Sequence, residues 1–152
     1  IGMSVAKGLC LGLGASLVAI PTLDITAYAV GDPGGPVIAL LEAGRGRLCA
    51  ATFRFEDGLP VQQGVRSIVR ADTWEPPVDE PVLIGGEVSA ALAERLMAHP
   101  AADQIAIVSL AGSVRRAGYL AELASNRLHR GEVDDLDGLE PLYFHMESPV
   151  NT

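Results

Sequence analysis

Apolar and polar positions recur along this chain with several different periods, and each period predicts a different element. Small residues stand at Ser4, Gly8, Gly12 and Ser16, while Val5, Leu9 and Leu13 repeat one step round. A four-residue repeat gathers each set on one side of a helix, so Ser4–Leu13 predicts a helix with a small-residue stripe beside an apolar one. Glycine inside a helix costs up to ~1 kcal/mol relative to alanine. Close approach of another helix backbone would compensate for that cost, and so would packing against the chain's own sheet. Gly14 then ends the helix. Leu17–Ile20 reads as a short buried strand, and Thr22 is placed to cap a helix through about Val30.

Gly31-Asp32-Pro33-Gly34-Gly35-Pro36 breaks the pattern, and strands follow. Val37–Leu41 is a continuous apolar run that suits a central strand buried on both faces. Arg47–Phe55 and Val61–Val69 are further strands, joined by turn signals at Ala43-Gly44-Arg45-Gly46 and Asp57-Gly58, so the three form a meander. Asp72–Glu75 predicts no more than a short turn, because Pro76 and Pro77 stop it. Val82–Ile84 is a short strand leading to Gly85-Gly86. Val88, Ala91, Leu92 and Leu96 mark an amphipathic helix ending near His99-Pro100. Ile105–Leu110 is an apolar strand, and Ala117, Leu120, Ala121, Ala124 and Leu128 stripe a final helix that Gly131 ends. Strands alternating with helices imply a parallel half of the sheet joined to the antiparallel meander. The order, three strands and then helix–strand–helix–strand–helix, resembles an RNase H-like α/β domain. The actin-like ATPase superfamily is built from two such units in tandem, and without an internal repeat only one complete unit is expected here.

Composition narrows the function classes. At 152 residues, with 49 % apolar and 20 % charged positions, the chain is one domain or one domain plus an appendage, and wholesale disorder is excluded. Eleven basic residues against 19 acidic ones give a net charge of −8. An acidic surface repels phosphate, which argues against unaided nucleic-acid binding. Cys10 and Cys49 are too few for a disulfide framework or a cysteine-built zinc site, and His99, His129 and His145 show no ligand spacing. The opening segment also imitates an export signal, with Lys7, the apolar run Gly8–Ile20 and the small-x-small Ala27-Tyr28-Ala29. That reading expects cleavage after Ala29. Pro21 and Asp24 stop the run short of the ~20 residues that a membrane span needs.

Candidate chemistry is sparse. Gly12-Leu13-Gly14 sits at a helix end, where the dipole repels phosphate. Gly85-Gly86-Glu87 does precede a helix N-terminus, but Glu87 opposes an anion there, so a plain tight turn is expected. Ser109, Ser113 and Ser125 lack a nucleophile-elbow context, and neither cysteine has an electropositive neighbourhood. Glu42, ending the first strand, and Glu87, following the fourth, could face one edge and bind magnesium as in RNase H-like nucleases; solvated strand-end charges are the plainer alternative. The acidic run from Glu132 to Glu140 reads as a solvated connector, or with Pro141-Leu142-Tyr143 as a tail docking on the domain or on a partner.

Three regions carry a family resemblance, the two ends most specifically. Ile1-Gly2-Met3-Ser4-Val5-Ala6-Lys7-Gly8-Leu9 followed by Leu17-Val18-Ala19-Ile20-Pro21-Thr22-Leu23 resembles the stretch after the glycine-rich motif of the TsaB (YeaZ) family. Arg130-Gly131-Glu132-Val133-Asp134-Asp135 and Leu139-Glu140-Pro141-Leu142-Tyr143 resemble that family's C-terminus, and Pro36–Phe53 resembles its second-domain hairpin. Glu42 stands where the family usually has Asp, Gly44 where it has Arg, and His145 where an Arg is common. The resemblance implies a cytoplasmic, non-catalytic subunit of the machinery that makes threonylcarbamoyladenosine on tRNA. It implies TsaD and TsaE as partners, TsaC upstream, tRNA reached only indirectly, and a homodimer when alone. No cofactor is implied in this chain, a nucleotide being expected only at the junction with TsaD. The family's contact is a helical bundle that includes the helix equivalent to Ser4–Leu13, so the expected interface residues are Ser4, Lys7, Gly8, Leu11, Gly12 and Ala15. The apolar start is then an internal helix instead of a signal. The resemblance also divides the chain into a remnant of a first subdomain (1–30), an RNase H-like second subdomain (36–131) and a tail (132–152). The family's N-terminal strands would precede Ile1.

Overall fold

The computed structural model describes residues 1–142; Tyr143 and His145, singled out above, lie outside the described residues. Its centre is β1 (Val37–Glu42), and the reason is visible in the strand itself. Side chains alternate across a strand, so only a strand apolar at every position can be covered on both faces. Val37, Ile38, Ala39 and Leu40 are all 0–1 % exposed. β2 (Arg47–Glu56) pairs antiparallel with β1, setting Val37 opposite Phe53 and Glu42 opposite Leu48, and β3 (Leu59–Arg70) pairs antiparallel with β2. On its other side β1 pairs in parallel with β4 (Val82–Gly86), which pairs in parallel with β5 (Ile105–Ile107). The sheet order β3-β2-β1-β4-β5 is the RNase H-like order expected from the sequence.

Each face of the sheet carries its own core. Ile38, Leu40, Leu48, Ala50, Val82, Ile84 and Ile105 meet Leu92 and Leu96 of α3 (Ala90–Met97). That helix begins where the Ser89 hydroxyl accepts the Leu92 N–H at 3.3 Å. On the opposite face Val37, Ala39, Ala51 and Phe53 meet Leu23 and Ala27 of α2 (Thr22–Val30). α4 (Ala117–His129) lies outside α2, where the Tyr28 and Tyr119 rings meet edge to face at 5.8 Å. α1 (Gly2–Leu13) ends at Gly14, in the left-handed conformation at φ 63°, and buries none of its residues.

Five expectations need correction, the first being the cap of α2: Thr22 is already helical, Pro21 stands before it and, among the described residues, no side chain caps the helix. The helix that the order placed between the third and fourth strands is only the turn at 71–73, as Pro76 and Pro77 require; Arg95 then holds the carbonyls of Ala71 and Trp74. Leu17–Ile20 is not a strand but a single antiparallel bridge, Leu17 with Asp134. β5 stops at Ile107: the Val108 N–H still reaches Ile84 O at 2.8 Å, but a turn closed by Ser109 follows. Finally, α4 turns the other way. Of the predicted apolar stripe only Ala124 is half-buried, while Ala117, Leu120, Ala121 and Leu128 are exposed; the inner face also carries Tyr119, Leu123, Asn126 and Arg127. These residues also fall at helical spacing, and Leu123 is the one residue of α4 that is buried.

One irregularity positions a charge. Gly64, Val65 and Arg66 of β3 stand opposite Ala51 alone, with Gly64 at φ 67° supplying the bend. The bulge swings Arg66 over the start of α2, where its guanidinium meets the Asp24 carboxylate at 2.7 Å.

Candidate functional site

α1 presents two unlike faces. Met3, Ala6, Lys7 and Cys10, spaced by three and four, are half-buried on the inner side. On the outer side Ser4, Gly8, Leu11 and Gly12 are exposed, as is Ala15 just past the cap. Val5, Leu9, Leu11 and Leu13 are 57 %, 58 %, 76 % and 77 % exposed. Among the described residues, a β-carbon added at Gly8 or Gly12 would meet nothing within 4 Å. The chain's own sheet therefore does not cover the glycine stripe. Of the residues expected at an interface, the structure brings Ser4, Gly8, Leu11, Gly12 and Ala15 onto the open side. Lys7 is set apart: its ammonium donates to the Asp137 carbonyl at 3.1 Å.

Behind α1 lies a polar clasp that no local sequence pattern marked. The Ala19 N–H donates to Asp134 Oδ2 at 2.7 Å, and the Arg127 guanidinium donates to Ala19 O at 2.7 Å and to Asp134 Oδ2 at 3.1 Å. The hydrogen bond from Ala19 and the Arg127 guanidinium hold the Asp134 carboxyl below the usual aspartate range, against a smaller opposing effect of burial.

A second concavity, of about 590 Å³, opens at the carboxyl ends of β1 and β4 and is lined by Glu42, Gly86, Glu87, Ser89, Ser113 and Arg115. Glu42 and Glu87 do meet there, as expected, but not as a metal pair. Glu87 Oε2 accepts the Glu42 backbone N–H at 2.7 Å and Oε1 accepts Arg115 at 2.8 Å. Burial pushes the Glu87 carboxyl up, yet these two donors outweigh it and leave it below the usual range. Among the described residues no group of three or more His, Cys, Asp or Glu is placed to hold a metal ion. The backbone donors are taken as well: Gly86 N–H by Ser113 Oγ, Glu87 N–H by Leu40 O, and Val88 N–H by Gly86 O. Gly86 is glycine for a steric reason. At φ 105° its added β-carbon would sit 2.1 Å from Leu40 O.

Two solved structures from Pseudomonas aeruginosa share this architecture. An uncharacterized protein with similarity to peptidase YEAZ superposes with a TM-score of 0.74 at 21 % identity, covering 95 % of this chain and 66 % of its own. YeaZ superposes with a TM-score of 0.74 at 19 % identity, covering 93 % and 66 %. The fold is that of YeaZ. No family model matches the chain, and no curated protein sequence does. The chain spans about two thirds of the length of the YeaZ structures, 66 % of each.

Within this YeaZ fold, Ala27-Tyr28-Ala29 lies inside α2, where Ala27 is fully buried against the sheet, so a cut after Ala29 would remove the helix that covers one core. No described helix is long and apolar enough to cross a membrane. A Ser125–His129 contact at 3.3 Å escaped the sequence reading, although an i, i+4 pair on a helix is predictable. It is exposed, and among the described residues no carboxylate accepts a hydrogen bond from either side chain, so it lacks the orienting partner that nucleophilic catalysis needs.

Proposed function

We propose that this chain is a non-catalytic interaction subunit of the TsaB kind, docking through the outer face of α1 on the TsaD-type catalytic partner of tRNA threonylcarbamoyladenosine synthesis and stabilising it. The observation that carries the reading is that face: four large apolar side chains stand out of the protein beside two glycines with open space above them. Leaving such a patch in water is unfavourable, and the glycines let a second helix backbone come close. The likeness of fold to YeaZ supports the choice of partner, and the same face serves self-association when the partner is absent. On this reading TsaE joins through the partner, tRNA is reached only indirectly, any nucleotide sits at the junction with the partner, and the setting is the cytoplasm.

The test is association. Gly8→Leu with Gly12→Leu places bulk where the partner's backbone must lie, so binding to TsaD and self-association, followed by light scattering, should both weaken. Binding unchanged in that double variant would overturn the proposal.

A further inference from the structure

We propose that residues 132–142 act as a strap that fixes the pose of α1, with the Arg127–Asp134 pair as its lock. The argument starts from what α1 lacks. It buries no residue, so packing against the sheet does not orient it. Among the described residues its one side-chain hydrogen bond to a distant part of the chain leads instead to the segment after α4. Lys7 donates to the Asp137 carbonyl, and Met3 lines a cavity of about 580 Å³ between Leu23, Leu41 and Cys49 of the body and Leu139 and Leu142 of the strap.

The strap reaches α1 by an ordered route. The Asp134 N–H donates to Leu17 O at 2.9 Å, which starts it alongside the stretch that follows α1. Asp135 then turns it, accepting the Gly138 N–H on its carboxylate at 2.7 Å and the Leu139 N–H on its carbonyl at 3.0 Å. Ala19 shows why the lock is specific. Its N–H and C=O are satisfied by Asp134 and Arg127, one a carboxylate acceptor and the other a guanidinium donor, in place of a neighbouring strand. Arg127 belongs to α4, which packs on α2, so the lock ties the stretch behind α1 to the body of the fold. Opening it frees α1 to swing on residues 14–21 without unfolding the sheet.

Hydrogen exchange read by mass spectrometry, on the chain alone and diluted until light scattering shows a monomer, tests this. Asp134→Ala removes both the acceptor and the ion-pair partner, and should raise exchange across residues 2–13 about tenfold while β1 and β4 keep their protection. Asp134→Asn keeps an acceptor for Ala19 and should give a smaller rise. Lys7→Ala, at the far end of the strap, should loosen the same amides by roughly two- to threefold. Equal loss of protection in α1 and the sheet would make the pair a general stabiliser and overturn the proposal, as would an α1 already unprotected in the unaltered chain. The consequence for docking rests on the proposed function, but exchange needs no partner, so the strap and the partner reading fail separately.

Discussion

β1 and α1 are both mostly apolar and opposite in fate. The first four residues of β1 are almost wholly withdrawn from water, whereas the four large apolar residues on the outer side of α1 are each more than half exposed. Burying a valine, leucine or isoleucine side chain stabilises by about 1.5–3 kcal/mol, so β1 collects inside this chain what α1 can collect only from another surface. Hydrophobicity is thus a statement about what an element needs, and its neighbours decide whether the need is met within one polypeptide. The largest expected effect follows directly. Phe53→Ala, fully buried under α2, should cost about 3–5 kcal/mol in denaturant unfolding, while Leu9→Ala should stay within about 0.5 kcal/mol. Similar losses at the two positions would erase the contrast.

Glycine sharpens the same comparison by reversing its sign. Gly86→Ala drives a β-carbon against Leu40 O at a φ that disfavours any side chain, and should lower stability by about 1–3 kcal/mol. Gly8→Ala meets open space within a helix and should raise helix stability by up to ~1 kcal/mol. Differential scanning calorimetry of the two variants reads both directions, and a destabilised Gly8→Ala chain would show that something already covers the stripe.

The sheet was legible in the sequence because its signals are local. A continuous apolar run, two turns and alternating character specify β1 to β3, and the spacing of Val88, Ala91, Leu92 and Leu96 specifies α3. The stripe on α1 was legible for the same reason. What stayed hidden depends on choices between surfaces or on distant partners. α4 has two faces at helical spacing, and the side packed on α2 carries Tyr119 and Leu123, not Leu120 and Leu128. The Arg66–Asp24 pair needs a bulge, and the clasp joins Ala19 to side chains more than a hundred positions away. Glu42 and Glu87 fall between the cases: strand order brought them together as read, but Arg115, which no spacing pointed to, takes up the carboxylate a metal would have used.

Acid separates the two regions with the smallest expected effect. The Asp134 carboxyl is held below the ordinary aspartate range by the Ala19 N–H and by Arg127, which also faces Glu132; Glu132 in turn is held low by Arg130 and Arg127. A group with a depressed native pKa contributes stability that is present above its unfolded value and lost as pH falls through the native one. Asp24 behaves oppositely. Burial raises it despite Arg66, so its ionised form is a strain at neutral pH that is relieved as pH falls. Lowering the pH from about 5 towards 3, below the ordinary aspartate value near 3.9, should therefore loosen the amides of α1 while those of α2 beside Asp24 hold. Asp134→Asn should abolish most of that difference, because its side chain no longer titrates. Exchange that rises together in α1 and α2, or a pH response of α1 that survives in Asp134→Asn, would mean that the clasp does not govern the helix.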